Sequence, residues 1–509
     1  MAIKRYTADS DTTITNAYKA NLSTRGVSGN MGQSDVLEVF SIYAQASTTS
    51  SELERILIKF PTEGNTSGKM SYDRTQGTIP ASGNVSFYLR MFNAKHSQTT
   101  PKDFKLVVSA LSKSWDEGLG LDMEEYSNED AANWITASND GSIVKWSSEG
   151  GDWYTDSSSS FTASFDTGFE DMELDITTLV EQWLSSSSNS KTATNMGSKS
   201  NYGVIVKLSS SLEDGTNSYY TKKFFARGSQ YYFKRPYIEA RWDDSRQDQR
   251  GGFYYSSSLA PAADNLNTIY LYNYVRGQLK NIPAIGTGSI YISIYSGSAA
   301  DTAPSGSKLK LSVGGDVASG DLYNITGGYV DTGIYSASFA FTGSSTLKTI
   351  YDVWHSGSTE YFTGSITPKT VSNNWPGSQM NPNQQFVSKI TNLKPIYSTS
   401  NKSARFRLYT RKKDWSPTIY TVSSKVAPID QVESAFYRVY RVNDGTEAIS
   451  YGTGSDNQTK LSYDVSGSYF DLDMSLLEAD STYGIKFVYY LNGEYVEQSE
   501  DFRFKVEKS

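Results

Sequence analysis

Residues 171–184, DMELDITTLVEQWL, change their period halfway along. Glu173-Leu174-Asp175-Ile176-Thr177 alternates as the end of a strand does, and Ile176, Leu179, Val180 and Trp183 then recur at i, i+3, i+4 and i+7. The spacing predicts a short helix over 175–184, with a side-chain oxygen of Asp175 or Thr177 meeting a backbone N–H that has no partner in the first turn. One short helix cannot bury its apolar stripe alone. In a chain that otherwise reads as strands it must plug one end of a sheet sandwich. A Ser-rich loop follows, then strand-like runs at 202–208, 223–227 and 235–240. With 37 Tyr, 22 Phe and 40 Gly against 13 Pro, the composition suits many short strands joined by loop tips. The expected class is all-β: tandem β-sandwich domains, jelly-roll or Ig-like, with one short helix in the first.

At 509 residues the chain exceeds what one hydrophobic core organises. A first domain is expected over 1–245. Within it, 85–92 alternates as a strand and is expected to pair with 104–111. The charged run 243–252, ending in Gly251-Gly252, reads as an exposed linker. A second sandwich is expected over 253–380, with strands near 269–274, 289–295 and 335–341. Pro376, Gly377 and Pro382 mark a further linker or long loop at 375–382. A third domain, 383–509, alternates at 405–410, 435–442 and 484–490, carries a helical turn near 475–478, and places Asn492-Gly493 where a two-residue hairpin turn needs positive φ. It is Ig-like in pattern, without the cysteine pair of that fold. Neither heptads nor a fixed-period repeat occurs.

A net charge of −8 argues against general nucleic-acid binding, which needs a positive field. With no cysteine, neither a disulfide framework nor a thiolate metal site can form. The opening residues do not read as a signal peptide, and no apolar run approaches the ~20 residues of a membrane span, so a soluble chain outside the standard export route is expected. His96 and His355 each precede a serine, but adjacency in sequence does not supply the oriented third group of a triad. No nucleophile elbow, zincin or phosphate-loop motif is present, and no catalytic residue or cofactor is expected. Calcium is the ion that oxygen ligands at Asp9, Asp11 and Asp35 could hold.

Between residues 111 and 185 stand 17 Asp and Glu against 2 Lys, so the rest of the chain is net positive. Asp122, Glu124, Glu125, Glu129 and Asp130 form a candidate acidic surface for docking a partner. Lys222, Lys223, Arg227, Arg405, Arg407 and Arg411 form a candidate basic contact surface. Such complementary charge sets register between neighbours more than affinity. Trp115, Trp134 and Trp153 are candidates for a glycan platform, since indole faces stack on sugars, with core anchoring as the alternative use. Glu124-Glu125 and Glu170-Asp171 sit in polar company and lack the apolar setting that raises a glycosidase acid.

The order Asp175-Ile176-Thr177, Leu179-Val180, Trp183, then 201–208 (NYGVIVKL), Phe224-Phe225-Ala226-Arg227 and Arg235-Pro236-Tyr237-Ile238-Glu239, resembles the DNRLRE-type β-sandwich module of secreted and surface proteins. Segments 9–14, 30–39 and 55–60 and the tryptophan-rich middle, with Trp115 and Trp134, extend the resemblance over about half the chain; the acidic insertion 116–171 departs from it. The opening MAIKRYTADSDTTITNAY and the later LERILIKFP also resemble virion structural proteins of T4-like marine phages, cyanophages in particular. The resemblance implies a non-enzymatic structural component of a tailed-phage virion, assembled in the host cytoplasm and placed in the tail at the baseplate or neck. Its partners would be other virion proteins and copies of itself in a symmetric assembly, with no nucleic acid and no membrane. A glycan-binding adhesin recognising the host envelope and a capsid-surface decoration protein are the alternatives.

Overall fold

The computed structural model describes residues 2–508 except 127, 140, 187–198, 259, 299–300, 302, 316–321, 342–346, 369–384, 414, 416–418, 420–428 and 492. It comprises two compact units, one of Ala2–Asp243 with Gly454–Gln458 and one of Asp244–Thr453 with Thr459–Ser509.

The first unit carries strands β1 (Ile3–Thr7), β2 (Ser10–Thr15), β3 (Val36–Tyr43), β4 (Ser51–Lys59), β5 (Ser86–Met91), β6 (Phe104–Ala110), β7 (Thr136–Asn139), β8 (Ile143–Lys145), β9 (Ser160–Phe165), β10 (Met172–Asp175), β11 (Val204–Leu208), β12 (Tyr219–Phe225) and β13 (Tyr237–Arg241). Its helices are α1 (Met70–Thr75), α2 (Thr177–Ser186) and α3 (Ser210–Glu213), so two shorter helices join the expected one. A four-stranded sheet, β1-β13-β5-β10, faces a seven-stranded sheet, β12-β3-β4-β11-β6-β9 with β2 on β4. The two ends of the unit meet in one ladder, Ile3 opposite Arg241.

Helix α2 begins where the change of period predicts. Asp175 Oδ1 accepts from Thr177 N at 2.9 Å, and Thr177 Oγ1 accepts from Phe87 N at 2.8 Å, so the cap also ties the helix to β5. Ile176, Leu179, Val180 and Trp183 are wholly buried in the core between the sheets, beside Phe87, Leu89, Ile56 and Val206.

The expected pairing of 85–92 with 104–111 is corrected: β5 lies between β13 and β10, while β6 lies between β11 and β9 in the other sheet. The chain after β5 follows edge strand β12, with Phe225 N on Phe92 O at 3.0 Å and Ala94 N on Lys223 O at 3.0 Å. That path carries it across the sandwich instead of back on itself.

Strand β11 reads VIVKL with no alternation, and both of its faces are covered. Val204, Val206 and Leu208 enter the core between the sheets, whereas Ile205 joins a second cluster on the far side. Ile56 and Ile58 of β4 likewise point inward, with Leu57 outward. The large sheet therefore has a third layer on its outer face.

In the second unit, one hydrogen-bonded path runs Asn267–Tyr272, Ile334–Phe341, Ile325–Asp331, Ile290–Gly297, Thr349–Ser356, Thr359–Ile366, with Leu311–Ser312 on Ile334–Phe341. Strand Ile325–Asp331 turns the corner: its residues 325–327 pair with Ile290–Gly297 and its residues 328–331 with Ile334–Phe341. At the switch, a Cβ on Gly327 would stand 2.7 Å from the Ser336 carbonyl oxygen. Ile269, Ile292, Phe339 and Trp354, from strands on either side of that corner, share one core.

The C-terminal sandwich of this unit sets a four-stranded sheet (Phe386–Ile390, Ala404–Lys412, Gly467–Leu472, Ser462–Asp464) against a six-stranded one centred on Ser481–Leu491. Asp473 caps a single turn, Met474–Leu476, through the Ser475 N–H. Buried Tyr483 then donates from its hydroxyl to the Glu478 carbonyl, five residues upstream, at 2.9 Å, in the manner of the tyrosine corner of Ig-like sandwiches. Leu491 pairs with Glu494 across the expected hairpin turn, of which Asn492 lies outside the described residues, as do 375–382.

The exposed-linker reading of 243–252 is also corrected. Within the second unit Tyr463 N donates to Arg246 O and Asp248 N to Tyr463 O, and the Arg250 guanidinium grips buried Asp352 in two bonds of 2.5 and 2.7 Å. Asp248 is 3% exposed, and burial raises its carboxyl to about 6. Asp243, Asp244 and Gly251 stay exposed, while 245–250 are partly covered or buried because their polar groups meet partners on both sandwiches of that unit.

Candidate functional site

The third layer of the first unit is the acidic insertion itself. Trp115, Trp134 and Trp146 lie with Ala132 and Ala137 against Ile14 of β2, Leu57 of β4, Leu111 and Ile205 of β11. Each of two indoles finds a carbonyl for its N–H: Trp115 Nε1 donates to Tyr202 O and Trp146 Nε1 to Asn133 O, both at 2.8 Å. The glycan platform expected from Trp115, Trp134 and Trp153 is thereby corrected. Trp115 is 7% and Trp134 4% exposed, and half-buried Trp153 has cations over its ring, Arg55 at 5.0 Å and Lys207 at 5.2 Å. These rings, with Ile135 packed beside them, anchor the layer to the sheet.

Ionic contacts fix the same layer. Glu213 on α3 takes two bonds from Arg55, at 3.0 and 2.8 Å, and one from Lys207 at 3.0 Å, with all three side chains buried. Arg55 spends its remaining donor, Nη1, on the carbonyl of Gly150 at 2.9 Å and lies 4.8 Å from the Trp134 ring. Gly150 has φ +86°, and a Cβ there would meet Arg55 Nη1 at 2.4 Å, so glycine is required. Nearby, Asn30 Nδ2 donates to Glu117 O and to Ala132 O, each at 2.7 Å, and holds both ends of the 117–132 loop.

Carboxylates at the base of the insertion are used internally. Glu117 takes both donors of Arg227 at 2.5 Å and the N–H of Asp11 at 2.8 Å. Asp152 meets Lys113 at 3.2 Å. Asp11 is buried between these groups; desolvation, with Glu117 adding to it and the Arg227 N–H opposing it, pushes its carboxyl up to about 7.

The loop tip differs. Asp122, Glu124, Glu125, Glu129 and Asp130 lie at the surface, and none is ion-paired among the described residues. Asp122 Oδ1 accepts the N–H groups of Glu124, Glu125 and Tyr126 at 2.9 Å each, which draws its carboxyl below the usual range, the Tyr126 bond first. The tip is tied to the body where Glu124 accepts from Ala20 N at 2.9 Å. Beside these acids stand Leu119 (72% exposed), Leu121 (50%) and Tyr126 (61%). No spacing rule marks those three residues in a loop, so an apolar patch there is not legible from residue order.

The basic surface does not form as expected. Lys222 is buried between the Phe165 and Phe224 rings, where Nζ donates to Asn93 Oδ1 and to the carbonyls of Gly168 and Glu170; burial lowers it to about 8. Lys223 pairs with Glu38 at 2.9 Å, Arg227 with Glu117, Arg405 with Asp471 at 2.8 Å and Arg407 with Asp464 at 3.0 Å. Arg411 donates to the Lys412 carbonyl at 3.1 Å and lies 5.9 Å from the Trp415 ring. Lys223 and Arg405 stand directly opposite their acids, Glu38 and Asp471, in the register of their sheets.

Asp9, Asp11 and Asp35 do not converge as ligands: Asp11 accepts from Arg227 N at 2.6 Å, Asp9 faces Lys69 at 3.6 Å, and among the described residues no group of three or more acidic or imidazole side chains is arranged for a metal ion. His355 Nε2 lies 2.7 Å from Ser293 Oγ, its Nδ1 3.1 Å from the Gly357 carbonyl, and Tyr291 stacks on its ring. Ser293 is completely covered, so its hydroxyl meets no substrate.

No family model matches the chain, and no curated protein matches it. Among solved structures it is similar to a titin fragment, described as "Anomalous substructure of Titin-A168169", at 7% identity over 52% of this chain and 95% of that one, with a TM-score of 0.14. It is also similar to the two-domain structure described as "Crystal structure of DIP-gamma IG1+IG2", at 8% identity over 48% and 89%, with a TM-score of 0.12.

Proposed function

We propose that this chain is a non-enzymatic structural component of a tailed-phage virion, placed in the tail at the baseplate or neck, where it bridges other virion proteins through the tip of its acidic insertion. The observation that carries the docking role is the exposure of Leu119, Leu121 and Tyr126 among unpaired acids on a loop whose base is locked to the sheet. Apolar side chains fixed outward and rimmed by charge suit a protein interface, the apolar part supplying affinity and the acids steering and register. Of the chain's own basic residues named above, Lys222 is buried and Lys223, Arg227, Arg405 and Arg407 are held by the chain's own acids, which favours a basic face on a neighbour. The virion assignment rests on the resemblance of the first half of the chain to phage structural proteins.

The test is particle assembly with Asp122→Asn, Glu124→Gln, Glu125→Gln, Glu129→Gln and Asp130→Asn combined. Particles carrying this variant should lose the protein more readily as salt rises, because the remaining contacts are weaker and are themselves screened. Full occupancy at every salt concentration contradicts the proposal; full occupancy with lost host adsorption would shift the reading to an adhesin.

A further inference from the structure

One side of β3 and β4 opens into a cavity of about 550 Å³ in the first unit. Its floor holds two carboxylates from one strand, Glu52 and Glu54, which stand opposite Ile42 and Phe40 of β3. They are 2% and 3% exposed, and no protein donor reaches Glu52 Oε1 or Glu54 Oε2. Glu52 Oε2 accepts from Tyr18 N at 2.8 Å. Glu38 on the same wall is answered by Lys223, which leaves the other two acids without a paired cation among the described residues. Two adjacent buried carboxylates without a counter-charge are unfavourable unless something positive completes the site.

The walls suit one kind of cation. Tyr18, Phe40 and Tyr220 present aromatic rings, and Tyr18 already carries the Arg25 guanidinium 4.4 Å from its centroid. Met31 and Met123 supply polarisable, adaptable apolar surface. We infer that this cavity binds an ammonium or guanidinium group on an aliphatic stem, with the charge on Glu52 and Glu54 and the stem along the aromatic and methionine walls. The same chemistry is offered by a free amine and by a lysine or arginine side chain of a partner. Burial, with Glu38 adding to it and the Lys223 charge only partly opposing it, holds Glu54 well above the usual carboxylate range, and an arriving cation favours its ionised form, so binding should release protons.

Calorimetric titration of the full chain at fixed ionic strength, with n-butylammonium, n-butylguanidinium and uncharged n-butanol as probes, tests this. At least one cation should bind tenfold or more tighter than butanol, with proton release visible as a dependence of the heat on buffer. Glu52→Gln combined with Glu54→Gln should weaken cation binding at least tenfold while the melting temperature stays the same or rises, which separates lost recognition from lost folding. Asp122 of the insertion tip also lines this cavity; both substitutions leave it unchanged and binding is read on the isolated chain, so the result stands apart from particle occupancy. A capped Gly-Lys-Gly peptide that binds as well as the free cations assigns a partner's side chain; cations that bind when it does not assign a small amine. Equal binding of butanol, no binding of any cation, or an unaffected double variant would overturn the inference.

Discussion

The two faces of the seven-stranded sheet are covered by different means. Inside, aliphatic and aromatic residues from alternating strands and α2 form one continuous core. Outside, the part of the insertion ahead of β9, with little regular structure, is held by three indoles, a buried Arg55–Glu213–Lys207 cluster and the Asn30 clasp. Strand pairing supplies the first face with apolar area at every second residue. A loop-built layer lacks that density, so it relies on a few large rings and on directed polar contacts. The difference matters for function because contacts that fix the base leave the tip both exposed and positioned.

The largest effect should come from the inner face. Trp183→Ala removes a wholly buried indole from the α2 stripe and should cost ~4 kcal/mol, read as a large fall in the first unit's unfolding midpoint. An unchanged midpoint would break the account of that core. Next comes Glu213→Gln on the outer face, which leaves Arg55 and Lys207 buried together without their anion. It should cost about 3 kcal/mol and loosen the insertion, making it a protease target while the sandwich stays folded.

Asp11→Asn should act in the opposite direction and only at higher pH. The folded value of about 7 lies above the ordinary 3.8, so the native state resists ionisation of this group. Stability from the protonated form is full below pH 3.8 and is lost as pH rises through 7. The shift corresponds to at most ~4 kcal/mol, and the variant, which keeps an acceptor for Arg227 N, should recover roughly half of it at pH 8 and none at pH 3. Thermal melts at the two pH values check this; a gain independent of pH would mean that Asp11 titrates in the fold at its ordinary value. Smallest is the five-residue neutralisation of the tip, which should change the isolated protein's stability by less than ~0.5 kcal/mol, since Asn and Gln keep the acceptor oxygens that Asp122 and Glu124 use and none of the five is ion-paired among the described residues. A larger loss would make the tip part of the fold rather than a docking surface.

The inner face was legible from residue order. The switch from period two to 3.6 located α2 and its Asp175 cap, and the strands β5, β6, β11, β12 and β13 stand where alternation or apolar runs put them. Partnership of β5 with β6 was not legible, because nothing local distinguishes a hairpin connection from one that crosses the sandwich. The outer layer left a faint mark. Ile56-Leu57-Ile58 and Val204-Ile205-Val206 are unbroken apolar runs, and an unbroken run needs cover on both faces. The surface position of Asp122, Glu124, Glu125, Glu129 and Asp130 followed from polarity alone, whereas burial of Lys222 did not, since its cage of carbonyls is assembled from 93, 168 and 170. Glu52 and Glu54 escaped notice because Ser51-Glu52-Leu53-Glu54 has the alternation of a solvent-facing strand.

Native-state hydrogen exchange is the most direct test of the claim that the insertion is an ordered layer supporting an exposed tip. The amides of Ala132, Trp134, Trp146 and Gly150, which donate to Asp116 O, Val27 O, Ile135 O and Trp134 O at 2.7–3.1 Å, should be protected to within roughly tenfold of the β11 amides. Exchange at these four sites at the rate of an unstructured loop, with β11 still protected, would contradict it.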